Sequence, residues 1–284
     1  MVEPVQQFDV ISMGRIGVDL YPRRPGARPA GTGAFPQVLG GPAADVAIAA
    51  ARLGRSAAVI ARTGADPFGT YLHQTLTESG VDGRWVTAQE SGSAPVTAGE
   101  AAYELDCFAI RAARIFWITG SGLSAEPSRS ATLAALKCRD RASTTVFDLD
   151  WRPALWNGTA EDAAREARPY YAEALRHATV AVGTLDECEL ATGVREPRAC
   201  AQALLTAGVA LAVVKQGPKG VLAVHRDGTT AEVPPVPVDR VDGAGAGDAF
   251  GGALCHGLLS GWDLERTVRY AGTEAGALLN GVSP

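Results

Sequence analysis

The stretch Asp-Gly-Ala-Gly-Ala-Gly-Asp-Ala-Phe occupies positions 242–250, and the interpretation of the whole chain depends on it. It follows an extended run rich in valine and proline at 233–241 and opens an apolar segment of helical character at 249–259. Small residues before a helix let backbone N–H groups approach a ligand closely, and the free amides of a helix N-terminus bind anions. Asp248 lies at the edge of this nest, where a carboxylate could accept a proton from a hydroxyl while the amides hold phosphoryl oxygens.

Ordinary helix packing competes with this hypothesis. Glycine-rich loops often precede helices, and an aspartate in the first turn favours any helix. The dinucleotide-binding fingerprint needs glycine at its sixth position, which Asp248 occupies here, and the chain contains no G-x-x-x-x-G-K-[ST] loop. The spacing alone therefore leaves phosphate chemistry and simple packing equally open.

The composition is that of a globular protein. The chain has 284 residues, of which 46% are hydrophobic and 20% charged, and this suits one large α/β domain. The net charge of −5 argues against a nucleic-acid surface. The five cysteines are scattered without C-x-x-C pairs, as in a reducing compartment. No apolar run approaches membrane-spanning length, and the N-terminus does not look like a signal peptide. We therefore expect a cytoplasmic protein with no membrane or nucleic-acid partner.

Apolar runs that suit buried strands alternate along the chain with segments that suit helices. Strands are expected at 8–13, 56–62, 114–119, 144–148, 179–182 and 211–217. Helices are expected between them, and Asp66 followed by Pro67 is typical of a helix start. This alternation predicts an α/β fold with a mostly parallel sheet covered on both faces.

A loop at 148–156 carries two carboxylates, an arginine and two tryptophans directly after a predicted strand. Ligands bind at the carboxyl ends of the strands in such sheets. A guanidinium group binds a carboxylate or phosphate through two parallel hydrogen bonds, so Arg152 is the candidate for recognising an acidic ligand. A surface ion pair covered by tryptophan is the alternative.

Residues 242–250 resemble the D-T-T-G-A-G-D-A-F signature of the ribokinase-like (PfkB) carbohydrate kinases, although the two threonines are replaced. The resemblance extends from 8 to 279. It implies a single three-layer α/β/α domain over 1–284, with a small β-lid formed by segments at about 20–38 and 95–105. Relative to the family, the chain looks a few tens of residues short between 97 and 108. The resemblance also implies that Asp248 is the catalytic base and that the amides of Gly245, Ala246 and Gly247 form the anion hole.

The sugar site implied by the resemblance combines four positions near the N-terminus with one in the acidic loop. Asp19, Gly40, Gly41 and Asp45 match the family's sugar-binding positions, and Arg152 matches the arginine of D-x-N-x-R-x-x-x-W in kinases of acidic sugars. Asp45 stands where the family has asparagine. An ionised aspartate only accepts hydrogen bonds, whereas asparagine also donates them. We therefore expect the acidic end of the substrate to lie away from Asp45 and toward Arg152.

A second set of positions matches the nucleotide side of the family's site, namely Thr184, Lys215, Gly217, Gly220, Gly243, Gly245 and Gly247. Glu187 matches the glutamate that helps to organise Mg²⁺ through water. Asp150 and Thr184 each stand where the family has asparagine. The implied cofactors are ATP and Mg²⁺, and the use of a monovalent cation is left open.

The reaction implied by the resemblance moves the γ-phosphoryl group of ATP to a primary hydroxyl of an acidic keto-sugar, with 5-dehydro-2-deoxy-D-gluconate as the leading candidate. Two alternatives stay open. One is a kinase of the same family for another sugar, such as 2-keto-3-deoxygluconate, ribose or fructose. The other is a kinase-fold protein that binds sugar or nucleotide and regulates without turnover. A homodimer formed through the lid is also open.

Overall fold

The computed structural model describes residues 7–20, 37–89, 105–237 and 246–279, and these contain one large sheet and one small one. The strands of the described part are, in chain order, β1 (Val10–Met13), β2 (Gly17–Leu20), β3 (Gln37–Gly40), β4 (Ala57–Gly64), β5 (Val81–Gln89), β6 (Ile115–Thr119), β7 (Thr144–Asp148), β8 (Val180–Thr184), β9 (Leu211–Lys215), β10 (Val221–His225) and β11 (Thr230–Val233).

The large sheet has the strand order β11-β10-β9-β8-β7-β6-β1-β4-β5. Every neighbouring pair from β9 to β5 is parallel, while β10 runs antiparallel to β9 and β11 antiparallel to β10. The parallel strands therefore end at one common edge of the sheet. Strands β2 and β3 form a separate antiparallel pair.

Helices cover both faces of the large sheet. Within the described ranges they are α1 (Pro42–Arg52), α2 (Pro67–Glu78), α3 (Cys107–Ala112), α4 (Ser128–Arg139), α5 (Ala160–His177), α6 (Leu185–Thr192), α7 (Pro197–Ala207), α8 (Ala246–Leu259) and α9 (Leu264–Leu279). Helices α3 to α7 pack on one face, and α1, α2, α8 and α9 pack on the other.

Strand β6 shows how the two cores divide the sheet. Phe116 and Ile118 belong to the core under α3 to α7, whereas Ile115 and Trp117 belong to the core under α1, α8 and α9. A strand covered on both faces needs apolar residues at every position, which is why it reads as an unbroken apolar run. The predicted three-layer α/β/α architecture is confirmed.

Several local boundaries differ from the sequence-based expectation. Helix α8 begins at Ala246, three positions before the expected start, so Asp248 lies inside its first turn. Strand β5 and helices α3 and α7 were not anticipated. The expected start of α2 is confirmed, because the Asp66 side chain accepts a hydrogen bond from the Gly69 amide at 2.7 Å.

The predicted lid segments, at about 20–38 and 95–105, lie almost entirely outside the described residues, as does the predicted dimer contact through them. Strands β2 and β3 flank the first of these segments. In the portion of the chain that the structure describes, no helix has both the length and the apolar character needed to cross a membrane.

Candidate active site

The predicted functional side chains converge on the edge where the parallel strands end. Asp148, Thr184 and Lys215 are the last residues of β7, β8 and β9, three adjacent strands. Thr184 and Lys215 are direct neighbours in the strand register. Because parallel strands end on the same side, the sheet topology brings together residues that are far apart in the chain.

Asp248 reaches this edge from the first turn of α8. A Cβ atom added to Gly247 would lie 3.6 Å from the Lys215 ammonium nitrogen, so the lysine lies directly beside the start of this helix. Burial and then the charge of Asp150 raise the pKa of Asp248, while Lys215 and Arg152 lower it, and the net result is a pKa of about 6. The carboxylate is therefore mostly ionised at neutral pH and still basic enough to accept a proton.

Lys215 supplies a permanent positive charge to the site. Burial alone would lower the pKa of its ammonium group. The surrounding carboxylates, Asp148 first and then Glu187 and Asp248, outweigh burial and raise this pKa above its ordinary value. The lysine is therefore charged at neutral pH.

The acidic loop after β7 has a constrained backbone. Asp150 has a φ of +30°, an unusual value for a residue with a side chain. The Leu149 amide donates to the Val182 carbonyl at 2.9 Å, and the Tyr171 hydroxyl donates to the Leu149 carbonyl at 2.7 Å. These hydrogen bonds fix the loop immediately before the strained residue.

Asp150 is 4% exposed, and its two carboxylate oxygens have different surroundings. Its Oδ1 accepts a hydrogen bond from Arg152 Nε at 2.8 Å. Its Oδ2 is buried and has no hydrogen-bond partner among the described residues. A buried carboxylate oxygen without a partner is costly, so this atom fits a ligand, an ion or water at the site.

Glu187 connects the acidic loop to the start of α6. Its Oε2 accepts from the Thr184 amide at 2.6 Å and its Oε1 from the Trp151 amide at 3.3 Å, while its own amide donates to Thr184 Oγ1 at 3.4 Å. This is a capping box, which explains why threonine serves at position 184. In the described part of the chain, no group of three acidic, histidine or cysteine side chains could hold a metal ion by itself.

The predicted sugar-binding residues near the N-terminus surround the start of α1. The carboxylate of Asp19 packs over Gly40, leaving no room there for a side chain. Gly41 has a φ of +108°, and a Cβ added to it would lie 2.5 Å from the Arg15 carbonyl oxygen. The two glycines therefore let β2, β3 and α1 approach closely and place Asp45 in the first turn of α1.

Tight packing between α1 and α8 brings Asp45 and Asp248 to the same place. Gly252 packs against Ala49 and Gly251 against Val46, with too little space for a Cβ at either glycine. Asp45 and Asp248 each lie four residues, about one turn, before a residue of this contact. Side chains four residues apart share one face of a helix, so both carboxyl groups face the same cleft.

Other predicted nucleotide-side residues have a structural explanation or lie outside the described ranges. Gly220 has a φ of +86° and packs against the Val233 carbonyl, so the turn between β9 and β10 requires glycine. Gly217 begins the single 3-10 turn there and faces open space. Gly243 and Gly245 lie outside the described residues.

Sequence reasoning noted Asp148 as one of the two carboxylates of the acidic loop but gave it no role of its own, and it did not identify Tyr171. Asp148 ends β7 beside Lys215, and its position after an apolar run was a usable signal. Tyr171 comes from α5 and contacts the loop only through the tertiary structure. Nothing in its local sequence distinguishes it from a core tyrosine.

The chain matches the pfkB family carbohydrate kinases over residues 7–105 and 96–280, and the two matched segments overlap close to the region where the sequence looks short. It is 27% identical over 300 residues to a 5-dehydro-2-deoxygluconokinase of Clostridium tetani, covering 96% of this chain and 87% of that protein. A protein of the same name from Photobacterium profundum is 29% identical over 303 residues, with 97% and 90% covered.

Two solved structures show the same architecture. A PfkB protein from Polaromonas superposes with a TM-score of 0.83 at 23% identity, covering 97% of both chains. A sugar kinase from Pyrococcus horikoshii, crystallised in complex with ATP, gives a TM-score of 0.76 at 26% identity, with 94% of this chain and 91% of that chain covered. The chain belongs to the PfkB family of carbohydrate kinases and is a phosphotransferase that acts on a sugar hydroxyl.

Proposed function

We propose that this kinase uses ATP to phosphorylate a primary hydroxyl of an acidic keto-sugar, with 5-dehydro-2-deoxy-D-gluconate as the first candidate substrate. The proposal rests mainly on Arg152, whose guanidinium group is held in place on one side and exposed on the other. Its Nε is held by Asp150 at 2.8 Å, and 61% of its side chain is exposed. One edge of the guanidinium is fixed by a buried carboxylate, which leaves the terminal nitrogens for a second carboxylate.

The names of the two relatives support this substrate, and the ATP complex of the Pyrococcus kinase supports ATP as the phosphoryl donor. We assign the β- and γ-phosphates to the start of α8, where Gly247 and the Lys215 ammonium group lie side by side. The five free cysteines support the reducing cytoplasm as the compartment.

In the proposed reaction, Asp248 accepts the proton of the attacking hydroxyl as the new oxygen–phosphorus bond forms. The backbone amides at the start of α8 and the Lys215 ammonium stabilise the charge that develops on the transferred group. Arg152 holds the acidic end of the sugar and thereby fixes which hydroxyl faces Asp248.

Mg²⁺ fits the residues that are present. Mg²⁺ keeps several water ligands and takes only one or two carboxylates beside substrate phosphates. The unpartnered Oδ2 of Asp150 and the carboxylate of Glu187 are the groups that would hold the hydrated ion. When bound, it would neutralise phosphate charge.

A coupled assay of ATP consumption with purified protein tests the proposal. The panel contains 5-dehydro-2-deoxy-D-gluconate, 2-keto-3-deoxygluconate, ribose and fructose. We expect the highest kcat/KM with a sugar acid. Higher kcat/KM with a neutral sugar would contradict the acidic-substrate assignment, and ATP binding without turnover of any sugar would favour a regulatory kinase-fold protein.

The substitution Arg152→Met tests the residue that carries the assignment. Losing one charge-assisted bidentate pair costs roughly 2 kcal/mol, so KM for the acid should rise about 30-fold while KM for a neutral sugar changes little. Arg165→Met is the matched control, because Arg165 is an exposed arginine paired with Asp162 on α5. Equal losses with acidic and neutral sugars would remove Arg152 from substrate recognition.

A further inference from the structure

We propose that Asp45 acts in the sugar site as a neutral carboxylic acid that donates a hydrogen bond to a substrate oxygen, and so helps to determine specificity. The proposal rests on the proposed sugar-kinase function. It replaces the sequence-based expectation of an ionised Asp45 that can only accept hydrogen bonds.

Three carboxyl groups from three different elements meet at the sugar side of the cleft. Asp19 comes from β2, Asp45 from the first turn of α1 and Asp248 from the first turn of α8. The glycine contacts between α1 and α8 fix the separation of the last two. The negative charges of Asp248 and Asp19 both act on Asp45, and such repulsion favours a proton on one of the interacting groups.

The distribution of cations decides which group keeps the proton. Lys215 and Arg152 both act on Asp248 and stabilise its ionised form. The cation that acts on Asp45 is Arg52, at the other end of α1. Seven residues of helix separate these two groups by about 10 Å, so the attraction is weak.

The surroundings of Asp45 favour its protonated form on balance. Burial has the largest effect, followed by Asp248 and Asp19, and together they raise the pKa of Asp45 to about 8. The backbone at Gly41 and the charge of Arg52 act in the opposite direction without cancelling the rise. Asp45 is therefore mostly protonated at pH 7, whereas Asp248 is mostly ionised and free to act as the base.

A neutral carboxyl group suits an acidic substrate in two ways. Its O–H donates one hydrogen bond while its carbonyl oxygen still accepts another. It also adds no negative charge to a cleft that must receive an anion. Ionisation above pH 8 removes the donor and adds repulsion, so binding of a sugar acid should weaken more than binding of a neutral sugar.

The first experiment measures KM for the sugar acid from pH 6.5 to 9.5 in the wild type and in Asp45→Asn. If only the protonated form binds well, KM of the wild type should rise roughly 10- to 30-fold over this range, in proportion to the lost competent fraction. Asp45→Asn should show a nearly constant KM, because an amide donates at every pH. Asp82→Asn changes a half-buried aspartate of β5 that pairs with Arg84, and it should follow the wild type.

A flat wild-type profile, or an identical rise in Asp45→Asn, would overturn the proposal. A rise of equal size for acidic and neutral sugars would also count against the repulsion that the proposal requires.

The second experiment does not depend on turnover. Infrared difference spectra of the ligand-free protein, taken between pH 6.5 and 9.5, should show one protonated carboxyl band that is lost near pH 8. The band should be absent from Asp45→Asn and shifted in Asp45→Glu, which keeps a carboxyl group if the amide variant does not fold. If the wild type lacks this band, the proposal is overturned. Inactivity on every sugar acid would instead contradict the proposed substrate and leave the protonation result intact.

Discussion

At the residue scale, Asp248 combines a half-buried carboxylate with two nearby cations. We predict that Asp248→Asn lowers kcat by about 10²- to 10⁴-fold, the usual contribution of a general base. ATP affinity should change little, because the amides and Lys215 remain. Steady-state kinetics beside calorimetric titration of the nucleotide measures both quantities. A variant with near-normal kcat would show that another group accepts the proton.

The same residue predicts an acid limb in the pH profile. The pKa of Asp248 is raised to about 6, so below that pH the base is increasingly protonated and kcat should fall about tenfold per pH unit. The loss appears as the pH falls, since the ionised form is the active one. The residual activity of Asp248→Asn should lack this limb between pH 4.5 and 7. A wild-type kcat that is constant over that interval would contradict the assignment.

Protonation of Asp45 has a consequence for stability as well. Its pKa is raised from 3.8 to about 8 on folding, so the folded state binds more protons between these values. Wild-type stability should therefore decline as the pH rises from about 4 to about 8 through this one group. We predict that the Tm advantage of Asp45→Asn over the wild type increases across this window and is constant above it.

Thermal unfolding of the two proteins at pH 5, 7 and 8.5 measures this difference. Comparing the variant with the wild type at each pH cancels the titration of all other groups. A Tm difference that does not depend on pH would mean that Asp45 is ionised in the folded protein.

At the element scale, the contact between α1 and α8 depends on the absence of side chains. A Cβ on Gly252 would crowd Ala49 and lie 2.8 Å from the backbone nitrogen of Ala50. We predict that Gly252→Ala destabilises the protein by roughly 1–3 kcal/mol, despite the better helix propensity of alanine. Gly272→Ala in α9 is the matched control, because nothing lies within 4 Å of the added methyl.

The control should be neutral or stabilising by up to about 1 kcal/mol. Urea unfolding of both variants measures the two effects. Equal stability of both variants would show that the helices separate without cost.

The elements that the sequence predicted well are those with a local cause. Residues 115–119 form an apolar run that only a strand covered on both faces requires, and Asp66 with Pro67 fixes the start of α2. Helix α3 has only six residues, too few to show a helical period. Helix α8 begins with Ala246 and Gly247, which carry no apolar pattern, so its start was placed too late.

The side chains of the candidate site could be proposed from the sequence where a motif carries them, as with Asp248 and Arg152, and their roles remain predictions. Their protonation states were not, because these depend on residues far away in the chain. Asp45 and Asp248 are brought together only by the packing of two helices, and the role of Asp150 depends on a strained φ angle. Local pattern contains no information on either.

At the scale of the whole molecule, one sheet runs without interruption through the described chain. Strand β1 pairs with β6 on one side and β4 on the other, so the N-terminal strands are joined to the C-terminal ones at the sheet centre. We predict a single cooperative unfolding transition in urea. The unfolding transitions followed by far-UV circular dichroism and by tryptophan fluorescence should coincide, since Trp117 lies in the buried centre of the sheet. Separate transitions would place a boundary between the two halves.

The width of the cleft is set by the glycine contact between α1 and α8, and the residues of this contact differ from those proposed to carry out the reaction. Val46 and Gly251 are buried in this contact and are not among the residues proposed to bind or react, yet their sizes set how far apart the two acidic helix starts stand. Natural or laboratory selection could therefore alter which sugars fit by changing an interior helix contact, while every group that binds or reacts is kept.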